Sequence, residues 1–183
     1  MSGPVRPVAV LVGPPGAGKT TIGRKLARRL GVPFLDADHM IEESEGRTIP
    51  EIFAGDGEAG FREIEERIVG EALGSFPGVL SLGGGAVLSA ETRRRLRNHR
   101  VVHLTLGVAE GVRRSQGSGR PLLAGGDVTA RYQALLTERA PLYRKVAWTT
   151  VTTERRSSGK VVTDIVDRLE SGDPHLRSSV GRP

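Results

Sequence analysis

The segment Gly13–Thr20 carries the clearest chemical pattern in the chain, GPPGAGKT. It matches the phosphate-binding loop pattern G-x-x-x-x-G-K-[ST], in which backbone N–H groups surround phosphate oxygens. In such a loop Lys19 would reach the β- and γ-phosphates, and the Thr20 hydroxyl would bind Mg²⁺. The pattern therefore predicts a nucleotide-binding site, with Mg²⁺ as cofactor, at Gly13, Gly16, Ala17, Gly18, Lys19, Thr20 and Thr21.

A chance match to this pattern is the alternative, because the chain contains 25 glycines. The context argues against chance. An apolar run at 8–12 precedes the loop, and Ile22, Leu26 and Leu30 recur at helical spacing after it. GTPases and ATPases use the same loop, but the chain has no N-K-x-D sequence of the kind that reads guanine. The loop alone does not indicate a kinase, and the second substrate decides between these classes.

A second candidate group is the carboxylate pair Asp36 and Asp38, which follows the apolar run 32–35. Residues two apart in an extended segment point the same way, so both carboxylates can face one site. Phosphoryl transfer needs oxygen ligands for Mg²⁺ and a group that orients the attacking hydroxyl. The alternative for Asp36 is that it caps the following helix, since Asp is a strong N-cap residue.

The elements that must position these groups alternate between apolar strands and amphipathic helices. Strands are predicted at 8–12, 32–35, 78–82, 101–106 and 148–152, and helices at 18–30, 90–98, 108–114, 127–146 and 159–170. The segment 38–73 is predicted to be helical but interrupted by Gly46, Pro50, Gly55 and Gly57. The pattern is typical of an α/β domain with a parallel five-stranded sheet, whose ligands bind beyond the carboxyl ends of the strands.

The Gly-rich segment 115–126 is predicted to be a mobile lid that contains Arg120. A positive charge on a mobile loop could neutralise the transferring phosphoryl group and exclude water. An ordinary surface loop is the alternative. Residues 1–170 are predicted to form a single domain, and residues 171–183 a flexible tail.

The composition excludes several classes of protein. Without cysteine the chain has no disulfide, thiolate nucleophile or cysteine-based zinc site. No apolar run approaches the roughly 20 residues that span a bilayer, and residues 1–7 lack the features of a signal peptide. A cytoplasmic protein without a membrane partner is expected. The net charge is +6, but no basic stripe is interleaved with aromatics, so nucleic acid is not an expected partner.

Together these residues resemble the shikimate kinase family over nearly the whole chain to about residue 170. The resemblance is carried by a series of motifs in family order: Gly13–Thr20, Asp36-Ala37-Asp38, Phe61-Arg62, Gly83-Gly84-Gly85, Arg120-Pro121-Leu122-Leu123 and Arg139-Ala140-Pro141-Leu142-Tyr143. It implies a three-layer α/β/α P-loop kinase fold with a helical acceptor-binding insertion at about 37–65 and a lid at about 115–126. It also implies a monomer.

The activity implied by the resemblance is phosphorylation of the shikimate 3-hydroxyl by ATP, giving shikimate 3-phosphate and ADP in chorismate and aromatic amino-acid biosynthesis. Lys19 and Arg120 would neutralise charge on the transferring group. Asp36 would serve the Mg²⁺ shell, and Asp38 would contact the acceptor hydroxyl and act as base. A related small-molecule kinase such as a gluconate kinase, and a nucleotide-binding module without transfer activity, are the alternatives.

The resemblance also implies contacts for the two substrates. The shikimate carboxylate would be bound by two arginines together with the glycine triplet: Arg62, Arg139, Gly83, Gly84 and Gly85. From sequence alone each arginine would be a surface residue, and Glu65 or Glu66 could pair with Arg62. Phe53 and Phe61 would form an apolar wall of the acceptor pocket, although core packing is the default for a lone Phe. Arg114 and Arg156 would lie near the adenine.

Overall fold

The sheet of this protein has five parallel strands in the order β2-β3-β1-β4-β5. The structure is a computed structural model, and it describes residues 5–116 and 126–176. The strands are β1 Ala9–Val12, β2 Phe34–Asp36, β3 Val79–Ser81, β4 Val101–Thr105 and β5 Thr149–Thr152. The predicted sheet is confirmed, with strand ends within about two residues of the predicted ones.

Helices cover both faces of the sheet. Within the described residues they are α1 Lys19–Leu30, α2 Ala37–Glu45, α3 Ile49–Ser75, α4 Ala90–Leu96, α5 Val108–Ser115, α6 Val128–Val146 and α7 Ser158–Ser171, with a short 3₁₀ turn at Ala86–Leu88. In β1, Ala9 and Leu11 pack with α1 and α7, whereas Val10 and Val12 pack with α3, α4 and α6. This alternation buries the strand on both faces, which explains its continuous apolar sequence and confirms the three-layer α/β/α fold.

The segment predicted as an interrupted helix forms α2 and α3. Gly46 ends α2 in the left-handed conformation, and Gly57 kinks α3 at φ 71 and ψ −179. Two of the four predicted interruptions are wrong. Pro50 lies in the first turn of α3, where its missing N–H costs no hydrogen bond, and Gly55 lies within the helix. Thr48 starts α3 through a reciprocal capping box with Glu51.

The loops after β1, β2 and β3 lie at the carboxyl ends of neighbouring parallel strands, as predicted. Most of the predicted lid, including Arg120, lies outside the described residues. At the other end of the chain, the carbonyl of Pro174 accepts hydrogen bonds from Thr149 and Arg168. The first residues of the predicted tail are therefore attached to the domain, and residues 177–183 lie outside the described part. No described helix is long and apolar enough to cross a bilayer.

Candidate active site

The phosphate loop connects β1 to α1 and is tightly packed against its neighbours. A Cβ on Gly13 would lie 2.4 Å from the Leu104 carbonyl oxygen, and Gly16 has φ +81. Both positions therefore require glycine. The Lys19 amine is buried and donates hydrogen bonds to the carbonyls of Gly13 (2.8 Å) and Pro14 (3.1 Å). The charged group thus lies at the loop, where a nucleotide phosphate would bind.

A cleft of about 460 Å³ opens beside this loop. Twelve of the predicted site residues line it: Gly16, Ala17, Gly18, Lys19, Thr20, Thr21, Asp36, Asp38, Gly83, Gly84, Arg114 and Arg156. Six others do not border it: Gly13, Phe53, Phe61, Arg62, Gly85 and Arg139. The lining residues come from segments that are far apart in the sequence, and the parallel sheet brings their loops to one edge.

Asp36 uses its two carboxylate oxygens for two purposes. Oδ1 accepts a hydrogen bond from the Asp38 N–H (3.0 Å) and so caps α2, and Oδ2 accepts one from the Thr20 hydroxyl (2.8 Å). The cap and the contact with Thr20 therefore coexist. A hydroxyl and a carboxylate oxygen at this spacing fit Mg²⁺, which takes few protein ligands and keeps water and phosphate oxygens. No cluster of three or more acidic or histidine side chains suits a metal within the described residues.

Asp38 lies against the glycine triplet together with a second carboxylate. A Cβ on Gly83 would lie 2.7 Å from Oδ1 of Asp38 and 2.8 Å from Oε1 of Glu65, so glycine makes room for both groups. Burial raises the pKa of the Glu65 carboxyl, and the negative Asp38 adds to this, while Arg62 and Arg139 oppose it. The buried carboxyl of Glu65 and the partly buried carboxyl of Asp38 therefore lie close together beside Gly83.

Arg62 is held by two acidic residues of its own helix. Its Nη1 donates to Glu65 Oε2 (2.7 Å), and its Nη2 donates to Glu58 Oε1 (3.3 Å). A Cβ on Gly85 would lie 2.3 to 2.5 Å from the guanidinium, so Arg62 packs on the bare backbone of the triplet. Of the two possible acidic partners named from the sequence, Glu65 pairs with Arg62 and Glu66 does not. Glu66 instead accepts a hydrogen bond from Ser89.

Arg139 is buried, with 5% of its surface exposed, and lies beside Tyr143 one turn further along α6. Tyr143 donates a hydrogen bond to the Gly84 carbonyl. Burial raises the pKa of the Tyr143 hydroxyl to about 12, although the neighbouring Arg139 and Arg62 act in the opposite direction. Helix α6 therefore fixes both a buried guanidinium and the glycine triplet.

Three polar atoms of this group are buried and make no hydrogen bond within residues 5–116 and 126–176. They are Nε of Arg62, Nε of Arg139 and Oε1 of Glu65. A buried polar group without a partner costs free energy, so such atoms call for a ligand or water. Two guanidinium donors in this condition favour an anionic ligand such as a carboxylate.

Phe53 and Phe61 pack beside this region rather than in the cleft. Their ring centroids lie 4.6 Å apart, and Phe61 is buried in an apolar cluster with Ile41, Ile52 and Ile68. The Arg62 guanidinium lies 5.2 Å from the Phe61 ring centroid. The two aromatic rings thus support the helix that carries Arg62.

The far end of the cleft is formed by Arg114, Arg156 and Thr153. Arg114 donates to the side chain and the carbonyl of Thr153 (both 3.3 Å), and it pairs with Glu110. Arg156 pairs with Asp164 at 3.1 Å. Thr153 is not predictable from the sequence, because a lone Thr after a strand has no distinctive pattern.

Comparison with known proteins agrees with this geometry. The family model described as "Shikimate kinase" matches residues 15–170. A shikimate kinase of Mycobacterium avium (strain 104) is 56% identical over 168 residues, which cover 91% of this chain and 96% of the relative.

Solved structures show the same relationship. A shikimate kinase from Acinetobacter baumannii in complex with shikimate superposes with a TM-score of 0.88 at 39% identity, covering 94% of this chain and 96% of the other. A gluconokinase from Sinorhizobium meliloti 1021 has a TM-score of 0.57 at 18% identity, covering 93% of this chain and 95% of the other. At this low identity, the similarity to the gluconokinase shows a shared fold and nothing more.

Proposed function

This chain belongs to the shikimate kinase family, and we infer that it transfers the γ-phosphoryl group of ATP to the 3-hydroxyl of shikimate. The products are shikimate 3-phosphate and ADP, on the route to chorismate and aromatic amino acids. The observation that carries this inference is that the Nε atoms of Arg62 and Arg139 are buried near the glycine triplet and make no hydrogen bond within the described residues. They suit a small carboxylate, and shikimate is one.

The two substrate sites belong to one active site, because the glycine triplet touches the phosphate loop. A Cβ on Gly84 would lie 3.4 Å from Cδ of Pro15 and 3.5 Å from the Gly13 carbonyl oxygen. An acceptor held by the triplet and a nucleotide held by the loop would therefore be neighbours. Proximity of this kind supplies much of the rate in phosphoryl transfer.

On the nucleotide side, the backbone N–H groups of the loop bind the phosphates, and Lys19 neutralises the β- and γ-phosphates. To do so, the Lys19 amine exchanges its contacts with the Gly13 and Pro14 carbonyls for phosphate oxygens. Arg114 and Arg156 line the same cleft, and their position near the adenine stays a prediction. Arg120 stays a prediction: it would add positive charge over the transferring group.

On the acceptor side, Arg62, Arg139 and the backbone of Gly83, Gly84 and Gly85 hold the carboxylate. This anchor presents the 3-hydroxyl to Asp38, which lines the cleft next to Gly83. The Asp38 carboxylate accepts the hydroxyl proton as the oxygen attacks the γ-phosphorus, and ADP leaves in line. That Phe53 and Phe61 form an apolar wall of the acceptor pocket stays a prediction.

Mg²⁺ is proposed as cofactor, held by the Thr20 hydroxyl and, directly or through water, by Asp36. Their 2.8 Å contact and their position in the cleft support this assignment. When bound, the ion would offset negative charge on the β- and γ-phosphate oxygens. A monomer in the cytoplasm, without nucleic-acid or membrane partners, also stays a prediction. Light scattering of the purified chain tests the first point against a mass of 19.6 kDa.

A panel of acceptors tests the proposed substrate. ADP release is measured by a coupled assay with MgATP and shikimate, gluconate or AMP, and again after chelation of Mg²⁺. We expect turnover with shikimate that disappears with the metal. Turnover with gluconate or AMP but not with shikimate would contradict the proposal.

A further inference from the structure

A buried hydrogen bond connects helix α6 to the outside of the phosphate loop. The hydroxyl of Tyr132 donates to the carbonyl oxygen of Pro15 at 2.7 Å. Tyr132 is fully buried in the second turn of α6, and Pro15 is the third residue of the loop. The contact spans 117 residues of sequence, so no local pattern announces it.

The structure holds the Tyr132 ring firmly in place. The ring packs against α5, where a Cβ on Gly111 would lie 2.2 Å from the Tyr132 hydroxyl oxygen. Val112 and Leu135 complete its apolar surroundings. Because the ring cannot move far, its hydroxyl defines the direction of the Pro15 carbonyl.

The Pro15 carbonyl in turn defines the direction of the next backbone N–H. A trans peptide unit is planar, with its C=O and N–H on opposite sides. When the Pro15 carbonyl faces Tyr132, the N–H of Gly16 faces away from α6. Gly16 borders the cleft, whereas Pro15 does not. Because Gly16 borders the cleft, an N–H that faces away from α6 can reach a phosphate bound there.

This N–H matters because the loop is poor in donors. Pro14 and Pro15 have no N–H, so Gly16 supplies the first one after Gly13. The Ala17 N–H is engaged in a turn with the Pro14 carbonyl at 3.2 Å. A single misdirected peptide unit would remove one of the few N–H donors in the first half of the loop.

We propose that Tyr132 is a positioning residue of the nucleotide site: its hydroxyl orients the Pro15–Gly16 peptide so that the Gly16 N–H binds a nucleotide phosphate. The inference rests on the proposed function only in taking the loop to bind a nucleotide. It does not depend on which acceptor is phosphorylated. Tyr132 does not line the cleft and acts through the backbone.

The chain offers a matched control on the same helix. Its two tyrosines are Tyr132 and Tyr143. Both are fully buried, and both donate to a backbone carbonyl of the site, Tyr132 on the nucleotide side and Tyr143 on the acceptor side. Replacing either by Phe removes one hydroxyl and keeps the ring. A general loss of stability would affect both variants alike, whereas positioning separates them by substrate.

The test compares Tyr132→Phe and Tyr143→Phe with the parent chain. Calorimetry gives the Kd of MgADP, and steady-state assays give the KM of each substrate. For Tyr132→Phe we expect the Kd of MgADP and the KM of ATP to rise about five- to tenfold, with the KM of shikimate within about twofold. For Tyr143→Phe we expect the reverse, a raised KM of shikimate and an unchanged Kd of MgADP.

Two results would overturn the proposal: unchanged MgADP affinity in Tyr132→Phe, or an equal loss of affinity for MgADP and shikimate. If the parent chain binds MgADP but does not phosphorylate shikimate, the proposed function fails, and this comparison still decides the role of Tyr132.

A second measurement does not require the Tyr132→Phe variant to fold. Uniform labelling with 3-fluorotyrosine gives one ¹⁹F signal for each of the two tyrosines, and Tyr143→Phe assigns them. We expect MgADP to shift the Tyr132 signal. A Tyr132 signal unchanged at saturating MgADP would contradict the coupling of this side chain to the loop.

Discussion

Asp38 is the side chain on which the proposed chemistry depends most directly. In Asp38→Asn the side chain keeps its shape, but the amide cannot accept the proton of the acceptor hydroxyl. For Asp38→Asn we expect kcat to fall about 10²- to 10⁴-fold, the usual contribution of a general base. The Kd of MgADP should not change, since Asp38 is assigned to the acceptor. Coupled assays and calorimetry measure both quantities, and undiminished turnover would show that Asp38 is not the base.

Arg139 tests whether the acceptor site recognises a carboxylate by geometry or by charge alone. Lysine keeps the charge but loses the planar fork of donors. For Arg139→Lys we expect the KM of shikimate to rise about tenfold or more, with the KM of ATP unchanged. Arg144→Lys is the control, because Arg144 lies exposed on the same helix. Equal shikimate KM values in the two variants would remove Arg139 from the site.

His103 predicts how stability depends on pH. Burial lowers its pKa to about 4, and Arg144 and Lys19 act in the same direction. The unfolded chain takes up this proton near the ordinary pKa of 6.5. As the pH falls from 6.5 towards 4, the unfolded state therefore binds more protons and the folded state loses stability.

From His103 alone, the free energy of unfolding should be about 2 to 3 kcal/mol lower at about pH 4.5 than at about pH 7. Urea titrations at both pH values measure it. In His103→Gln the difference between them should shrink by that amount, while exposed His175→Gln should match the parent chain. If His103→Gln keeps the full pH dependence, His103 is not buried in its neutral form.

Helices and strands can be predicted from the sequence where a single physical cause, such as burial on both faces of the sheet, determines the pattern of apolar residues. The run at β1 is apolar at every position because both sheet faces are covered, and α1 shows a clear apolar stripe. The interruptions predicted at Pro50 and Gly55 are wrong. A sequence does not show whether a Pro lies in the first turn of a helix or whether a Gly adopts the helical conformation. Only the backbone angles distinguish Gly57, the true kink, from Gly55.

This difference between the two glycines gives a prediction for α3. Gly57 has φ 71 and ψ −179, a region open almost only to glycine, so Gly57→Ala should lower the free energy of unfolding by about 1 to 3 kcal/mol. Gly55→Ala adds a Cβ in a helical position with no close contact, the nearest atom being 3.5 Å away. It should leave stability unchanged or raise it by about 0.5 to 1 kcal/mol. Equal effects in denaturant titrations would show that α3 has no kink at Gly57.

The residues of the candidate site come from segments that are distant in the sequence. Their contacts can therefore be predicted only where a rule of the whole fold applies. The rule for parallel sheets predicted that the loops after β1, β2 and β3 share one edge, because it needs only the order of elements. The contact of Tyr132 with Pro15 could not be predicted, since it depends on how whole helices pack. The contact of Arg62 with Gly85 follows from the family resemblance but from no local sequence pattern. Helix α6 is the main example: its Tyr132 contacts the phosphate loop and its Tyr143 contacts the glycine triplet.

The central claim is that one cleft joins MgATP to the 3-hydroxyl of a carboxylate held by Arg62 and Arg139. Phosphorus NMR of the chain with MgATP and shikimate tests it most directly. The account predicts one new phosphate monoester for each ADP formed, with its phosphorus coupled to the proton on carbon 3. Inorganic phosphate alone, or a phosphate on another oxygen of shikimate, would contradict it.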